Sequence, residues 1–388
     1  MGKLRMVLPP YAPDYSGVCV ALFPLGCHGL TVIHDAAGCT GNYTGYDEPR
    51  WYHSRSPIYC SGLREIDAIL GDDEKLIGKV SEACETLKPE IVALVGSPVP
   101  MVIGTDMEGI AADLESRIGI PVFGFATTGL SYYQHGIEMV YDKVLGRILS
   151  EEKEGKKKTQ TRTVNILGAT PLDFGRSGVI EELCQLLEKN GWQVQMALYE
   201  EGGTEKIRKL AEADCSVVVS GAAAAFAEYL KKRFEIPYIT GLPFGKENEN
   251  RWLGWLERCV AGEGQEAEKG WKEKKAAGLI LGEQVQAQSV RDGLFAAYGI
   301  RADVGAVCGF YEGIADEGES FLEEETDIEE AVSRSQYEFV IGDPLYEALI
   351  PEGKTFIPYA HYALSSKLGH EWERNLIGEK LEKEIKIQ

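Results

Sequence analysis

A chain of 388 residues exceeds one ordinary domain, so two or three α/β units are expected. Its 44% apolar and 9% aromatic content supplies proper cores and excludes general disorder. Forty Lys and Arg against 61 Asp and Glu leave a net charge of −21, which excludes nucleic acid and an anionic membrane surface as partners and fits a protein steered toward a basic face.

The opening "MGKLRMVLPPYAPDYSG" has no apolar run before a small-residue cleavage site, and no apolar stretch reaches the eighteen or so residues of a membrane helix. A cytoplasmic location is expected. Nine cysteines in such a chain are expected as thiols, thiolate ligands or core residues, not disulfides.

In chain order, "LTVIH" reads as a strand, "IVALVGS" as a buried strand, "GIAADLESRIG" as a helix and "IPVFGFAT" as the next strand. A charged run, "SEEKEGKKKTQTR" (150–162), reads as a solvated linker. The alternation restarts with strand "TVNILGA", helix "SGVIEELCQLLEKNG" stopped at Gly191, and strand "WQVQMALY". A helix through "KIRKLAEA" leads to "CSVVVSG", "FAEYLKKRF" and "IPYITG". After a second charged stretch, "GEGQEAEKGWKEKK", come "AGLILGE", a helix through "SVRDGLFAAYG", "ADVGAVCG", "EFVIGD" and "FIPYA". The end, "HEWERNLIGEKLEKEIK", reads as a charged helix. This β-α-β rhythm predicts an α/β fold of three Rossmann-like domains with parallel sheets, spanning 1–155, 156–270 and 271–388. Ligands of such sheets bind beyond the carboxyl ends of the strands and in clefts between units.

Missing motifs narrow the chemistry. There is no G-x-x-x-x-G-K-[ST], so no ATP site is expected in this chain, and neither H-E-x-x-H nor G-x-S-x-G is present. "GATPLDFGRSG" is glycine-rich but reads as an ordinary strand-to-helix turn.

Three cysteines stand about twenty residues apart near the N-terminus, each in or beside a turn or glycine-rich loop. Cys39, in "HDAAGCTGNYTG", follows a strand and is flanked by Gly38 and Gly41, which let backbone approach a cluster closely. Cys19 is expected in the first turn of a short helix and Cys60 just ahead of the helix "REIDAILG", both positions where a helix dipole favours thiolate. Three thiols from separate segments suit an iron–sulfur cluster. A fourth ligand would come from Cys27, from Asp14 or from a second protomer, and a cluster at a subunit interface is favoured. Cys84, Cys184, Cys215, Cys259 and Cys308 read as core packing. Near the cluster segment, His34 either orients the loop or relays protons. Tyr46, Arg50, Trp51, His53 and Arg55 line either a substrate pocket or a subunit interface, and His135 faces the same cleft or starts a helix. His34, Arg50 and His53 are the catalytic candidates among them.

At these residues the chain resembles the nitrogenase component 1 family. "VIHDAAGC" is similar to the family's strand, histidine and cluster cysteine, "ALVGSPVPMVIGTDMEGIA" to its next cluster segment and helix, and "VNILGATPLDFGRSGVIEELCQLLEKNGWQVQ" with "YLKKRFEIPYITGLPFG" to its middle domain. The resemblance covers almost the whole chain. It implies three Rossmann-like domains and an iron–sulfur cluster, of 4Fe-4S type or larger, near a subunit interface. It implies a homodimer or a heterodimer with a paralogous subunit, and an ATP-hydrolysing iron protein as electron donor. On the family's pattern the first cluster cysteine falls near Pro13 or Asp14, the third near Pro98, and the cofactor-holding cysteine near Val219 or Ser220. Only Cys39 transfers, so Cys19 and Cys60 read as a rearranged set and no molybdenum cofactor is expected. His361, in "IPYAHYALS", falls near the cofactor's histidine and joins the catalytic candidates.

The reading that follows is an iron–sulfur oxidoreductase subunit. It would accept low-potential electrons from the iron protein and reduce a small molecule. Its alternatives are a cluster or cofactor assembly scaffold without turnover, and a metal-free module that keeps only the fold.

Overall fold

The computed structural model describes residues 7–152, 162–263, 271–272 and 274–387, without the side chains of Cys39 and Asn42. Most of both charged stretches lies outside these residues.

Thirteen described strands form three sheets in which every pairing is parallel. The first holds β1 (Gly29–His34), β2 (Ile58–Cys60), β3 (Ile91–Gly96) and β4 (Val122–Phe125) in the order β2-β1-β3-β4. The second holds β5 (Arg162–Leu167), β6 (Trp192–Ala197), β7 (Cys215–Val218) and β8 (Tyr238–Thr240) in the order β6-β5-β7-β8. The third holds β9 (Gly278–Gly282), β10 (Ala302–Ala306), β11 (Glu319–Phe321), β12 (Phe339–Gly342) and β13 (Thr355–Pro358), ordered β11-β10-β9-β12-β13. The strand order reverses beside the first strand of each sheet, which opens a crevice between β1 and β3, β5 and β7, and β9 and β12. Every residue of β1 and β3 is buried, as strands covered on both faces require.

The first unit carries α1 (Asp14–Leu22), α2 (Ala37–Asn42), α3 (Glu65–Leu70), α4 (Asp73–Leu87), α5 (Pro98–Ile103), α6 (Met107–Ile118), α7 (Tyr133–Val140) and α8 (Gly146–Ser150). The second carries α9 (Pro171–Phe174), α10 (Val179–Lys189), α11 (Gly203–Arg208), α12 (Ala224–Phe234) and α13 (Lys246–Val260), and the third α14 (Gln284–Tyr298), α15 (Glu325–Ser333), α16 (Tyr362–Ser365) and α17 (Lys380–Glu384). Capping sets several starts. Asp72 accepts from the Lys75 N–H, Asp106 from Gly109 and Glu283 from Gln286. Alternation along β1 and β3 splits their side chains between two cores. Leu30, Val32, Val92 and Leu94 pack with α4 and α6, whereas Ile33, Ala93 and Val95 join a core that runs through α1 and α7 into the middle unit.

Two glycines set the crossing of α1 with α7. A Cβ on Gly17 would lie 1.8 Å from the Tyr133 carbonyl oxygen, and one on Gly136 1.9 Å from that of Asp14. The helices therefore touch backbone to backbone, and this contact fixes where the start of α7 points.

Four expectations change. Cys19 lies mid-helix in α1, which begins at Asp14, so no helix start lowers its pKa. Cys60 ends strand β2, and α3 begins only at Glu65. Cys39 lies within α2, a helix, not an extended glycine loop. The terminal charged helix reduces to a 3-10 segment, Ser366–Trp372, and the five residues of α17. No helix among the described residues is long and apolar enough to cross a membrane.

Candidate functional site

Two places gather chemistry, and both lie at carboxyl ends of strands. The first is the edge of the N-terminal sheet. Cys60 pairs with Ile33 in register, so it stands where β1 turns into the α2 segment that holds Cys39. Its thiol donates to the Asp35 carbonyl at 3.3 Å and accepts from the Gly62 N–H at 3.4 Å. His34, buried at the β1/β3 crevice, shares a 2.9 Å hydrogen bond between Nδ1 and the Ser61 hydroxyl. Burial pushes its pKa below the usual histidine value, against the pull of Asp73 and Asp35.

Cys19 is fully buried beneath the turn Tyr43–Asp47. Burial raises its thiol pKa well above normal, and the carboxylates of Asp47 and Glu48 push it further. Asp14 is spent on structure. Its carboxylate accepts from the backbone of Thr128 and Gly129 at 2.9 and 2.8 Å. Among the described residues no group of three or more His, Cys, Asp or Glu could hold a metal ion, and the Cys39 side chain lies outside them. The described residues alone therefore do not form a closed cluster site here.

Arg50 is a clamp. It meets Glu48 through Nε and Nη2 at 2.8 and 2.6 Å, and the carbonyls of Tyr199 and Val20 at 2.7 and 3.1 Å. Its guanidinium lies 3.8 Å from the Phe23 ring centroid. Four of its five donors are thus turned inward, tying the N-terminal segment to the middle unit. Arg50→Lys keeps the charge but cannot fork, so urea denaturation is expected to show a loss of about 1–2 kcal/mol. Full retention of stability would count against the clamp. His53 is exposed on the wall of an open cleft of about 690 Å³ with Tyr52, Arg176 and Tyr199.

The second place is the junction where all three units meet. Tyr133, placed by the α1–α7 contact, points its hydroxyl at Asp173 just beyond β5, at His361 Nε2 (3.0 Å) beyond β13 and at the Cys308 sulfur (3.6 Å) beyond β10. Thr170 donates to Asp173 at 3.2 Å, and Asp343 accepts from the His361 N–H at 2.8 Å. Glu283, at the end of β9, accepts from the Gly221 N–H at 2.8 Å beyond β7 and from Gln286 at 2.9 Å. Tyr11 and Tyr346 share a hydrogen bond on the far side of His361.

This cluster is rich in protons. Burial, helped by the nearby Asp173 charge, pushes the Glu283 carboxyl up to about 8, so it is largely protonated at neutral pH. Burial also raises Cys308, Tyr133 and Tyr346 well above their usual values, and raises Asp343 above its ordinary value. Several polar atoms here have no partner among the described residues: His361 Nδ1, the Ser220 hydroxyl and both amide atoms of Gln134. Gln134 and Cys308 also line a cleft of about 410 Å³ with Tyr132, His135, Glu138 and Tyr311.

Of the sequence candidates, the structure brings Cys60 and His34 to the edge that carries Cys39, buries Cys19 nearby, and places His361 in the junction. Arg50 and His53 stand apart at a cleft between the first two units. Sequence reasoning missed Tyr133, Asp173 and Glu283, and it read Cys308 as core. The available signal was position, since Asp173 lies shortly after the strand "TVNILGA" and Glu283 ends the run "AGLILGE".

A model of the nitrogenase component 1 type oxidoreductase family matches residues 15–298. The chain is similar to the nitrogenase iron-molybdenum cofactor biosynthesis protein NifE of Clostridium pasteurianum, with 26% identity over 72% of this chain and 58% of that protein. It is similar to the NifE of Methanosarcina barkeri, with 25% identity over 60% of this chain and 52% of the relative. It is also similar to the nitrogenase molybdenum-iron protein alpha chain of Clostridium pasteurianum, with 25% identity over 47% and 33%. The match thus spans about half the length of the first two relatives. Among solved structures, "Nitrogenase Cp1 at pH 6.5" shares the fold, with a TM-score of 0.64 at 17% identity over 97% of this chain and 90% of that one. With the family model matched over well more than half of its length, the chain belongs to the nitrogenase component 1 family.

Proposed function

We propose that this chain is an assembly scaffold that holds an iron–sulfur cluster or cofactor precursor at a face completed by a second subunit. The observation that carries this reading is the edge of the N-terminal sheet. Cys39 and Cys60 come to it, no closed ligand set is described there, and the segments that follow β2, β3 and β4 carry exposed apolar side chains. Ile69 of α3, Val102 of α5 and Leu130 beyond β4 are 71%, 76% and 84% exposed, and α5 bears no charge. On a chain of net charge −21, such a face suits a second copy or a paralogous subunit. Cys39, Cys60 and Cys19 are the proposed ligands, and the cluster is of 4Fe-4S type or larger. Recruiting Cys19 is the costliest step, because its thiol must ionise inside an apolar core. Two of the relatives described above are cofactor biosynthesis proteins by name, which favours a scaffold over a turning-over enzyme.

A reductase is the second reading, favoured by the proton-bearing junction beside an open cleft. It would take low-potential electrons from an ATP-hydrolysing iron protein in the cytoplasm and reduce a small molecule. The test is anaerobic reconstitution with iron and sulfide, followed by an ATP-driven iron protein. A scaffold hands its metal to an apo acceptor and releases no reduced product. Electron consumption coupled to product would replace the scaffold by the enzyme. Single Cys→Ala changes at Cys39, Cys60 and Cys19 should each lower the cluster's charge-transfer absorbance, and Cys184→Ala should not. A normal spectrum for the Cys39 variant would remove the ligand set.

A further inference from the structure

A cavity of about 310 Å³ lies between the helices of the first unit and α12 of the second. Its walls are aromatic. The rings of Tyr141 and Phe226 stand 5.2 Å apart at 38°, and those of Phe226 and Tyr229 stack at 6.0 Å and 15°. Two carboxylates, Glu138 and Asp142, sit one helical turn apart on its rim, and no basic residue lines it. Small residues, Gly146, Ala222 and Ala225, leave the middle open.

Phe226 and Tyr141 are almost fully buried, so a ligand reaching them leaves bulk water behind. The Tyr141 hydroxyl is buried with no hydrogen-bond partner among the described residues. Cations of the chain that stack on rings nearby do so elsewhere, with Lys143 over Phe125, Lys231 over Tyr238 and Arg233 over Phe234. Glu138 also faces His135, with Nδ1 and Oε2 3.8 Å apart, and the Tyr311 hydroxyl.

Aromatic faces present negative quadrupole potential, and they attract a cation most when partly desolvated. Carboxylates at the mouth add long-range attraction, strengthened by the net charge of −21. A neutral apolar ligand would gain from the rings but nothing from Glu138 and Asp142. An anion would be repelled. We propose that this cavity binds a small organic cation, a methylated ammonium group held against Tyr141, Phe226 and Tyr229 and balanced by Glu138 and Asp142. The site is independent of any cluster. Because Glu138 also lines the cleft that contains Cys308 and Gln134, the bound cation would sit beside the junction.

The test is calorimetric titration of the full chain with choline and with its neutral isostere, 3,3-dimethylbutan-1-ol. Choline is expected to bind about tenfold more tightly than the alcohol, the range that desolvated cation–aromatic contacts support. The double variant Glu138→Gln, Asp142→Asn should bring that preference near unity. Tyr229→Leu should weaken choline binding severalfold, with circular dichroism checking that each variant is folded. Equal binding of the two probes, no choline binding at millimolar concentration, or an unchanged preference in the double variant overturns the proposal.

Discussion

Gly136→Ala is expected to cost at least about 3 kcal/mol of stability in urea denaturation, and Gly17→Ala a similar amount. The added methyl would arrive 1.9 Å from the Asp14 carbonyl in the first case and 1.8 Å from the Tyr133 carbonyl in the second. Neither obstacle is a flexible side-chain tip, so a whole helix must move. Helix α7 carries Tyr133, and its displacement pulls that hydroxyl away from Asp173 and His361. The control has the opposite sign. Gly78 lies within α4 with nothing near a Cβ, and Gly78→Ala should gain roughly 0.5–1 kcal/mol from helix propensity. Equal effects at Gly136 and Gly78 would show that the close crossing is not required.

The second large effect is electrostatic. Glu283→Gln is expected to flatten the fall in stability with rising pH between about 4.5 and 8. In the folded chain burial holds the Glu283 proton up to about 8, whereas the unfolded chain releases it near the usual carboxyl value. Below that unfolded value both states are protonated and no penalty applies. Between the two values the folded state binds the extra proton, so stability drops as pH rises, at up to about 1.4 kcal/mol per pH unit. Above about 8 the full penalty, on the order of a few kcal/mol, is present. The amide avoids it, so Glu283→Gln should match or exceed the parent at pH 9 and lose its advantage at pH 5. Unfolding curves across that range check the prediction. An unchanged slope in the variant would mean that Glu283 is already ionised in the fold.

Much of the architecture was legible in the chain. Runs such as "IVALVGS", "TVNILGA" and "CSVVVSG" are apolar at nearly every position because both faces of a parallel sheet are covered, and each is a strand. Strands β2 and β11 were not legible, since three residues at a sheet edge carry too little periodicity. The terminal helix failed for a related reason. Charge spacing supports a helix only if the backbone also finds a surface, and here most of that segment lies extended or in 3-10 turns.

The candidate sites divide in the same way. Local cues marked Cys39 and His34 through the strand before them, whereas Cys60 was marked as a helix start and instead ends a strand. They misplaced Cys19, whose helix begins five residues earlier than the pattern suggested, so its thiol turns into the core. The junction was hidden because it depends on distance between sheets. Tyr133 reads as one more aromatic in a helix, yet it touches side chains 40, 175 and 228 residues away. Position-by-position reading left Arg50 between a pocket and a subunit interface; it lines a cleft, but Glu48 and two carbonyls take four of its donors, a pairing no local cue shows.

The apolar interior does not stop where one sheet gives way to the next. One continuous core runs from Val18 and Ile33 through Leu167 and Phe226 to Tyr362, and another from Val164 and Ile239 to Ile280 and Leu381. The units are therefore welded rather than strung together. A fragment holding a single sheet would expose a wide oily face and aggregate, and a chimera exchanging the middle unit for a relative's would inherit mismatched packing on two sides. Heat should melt the molecule in one event, with no stage at which one third stands alone.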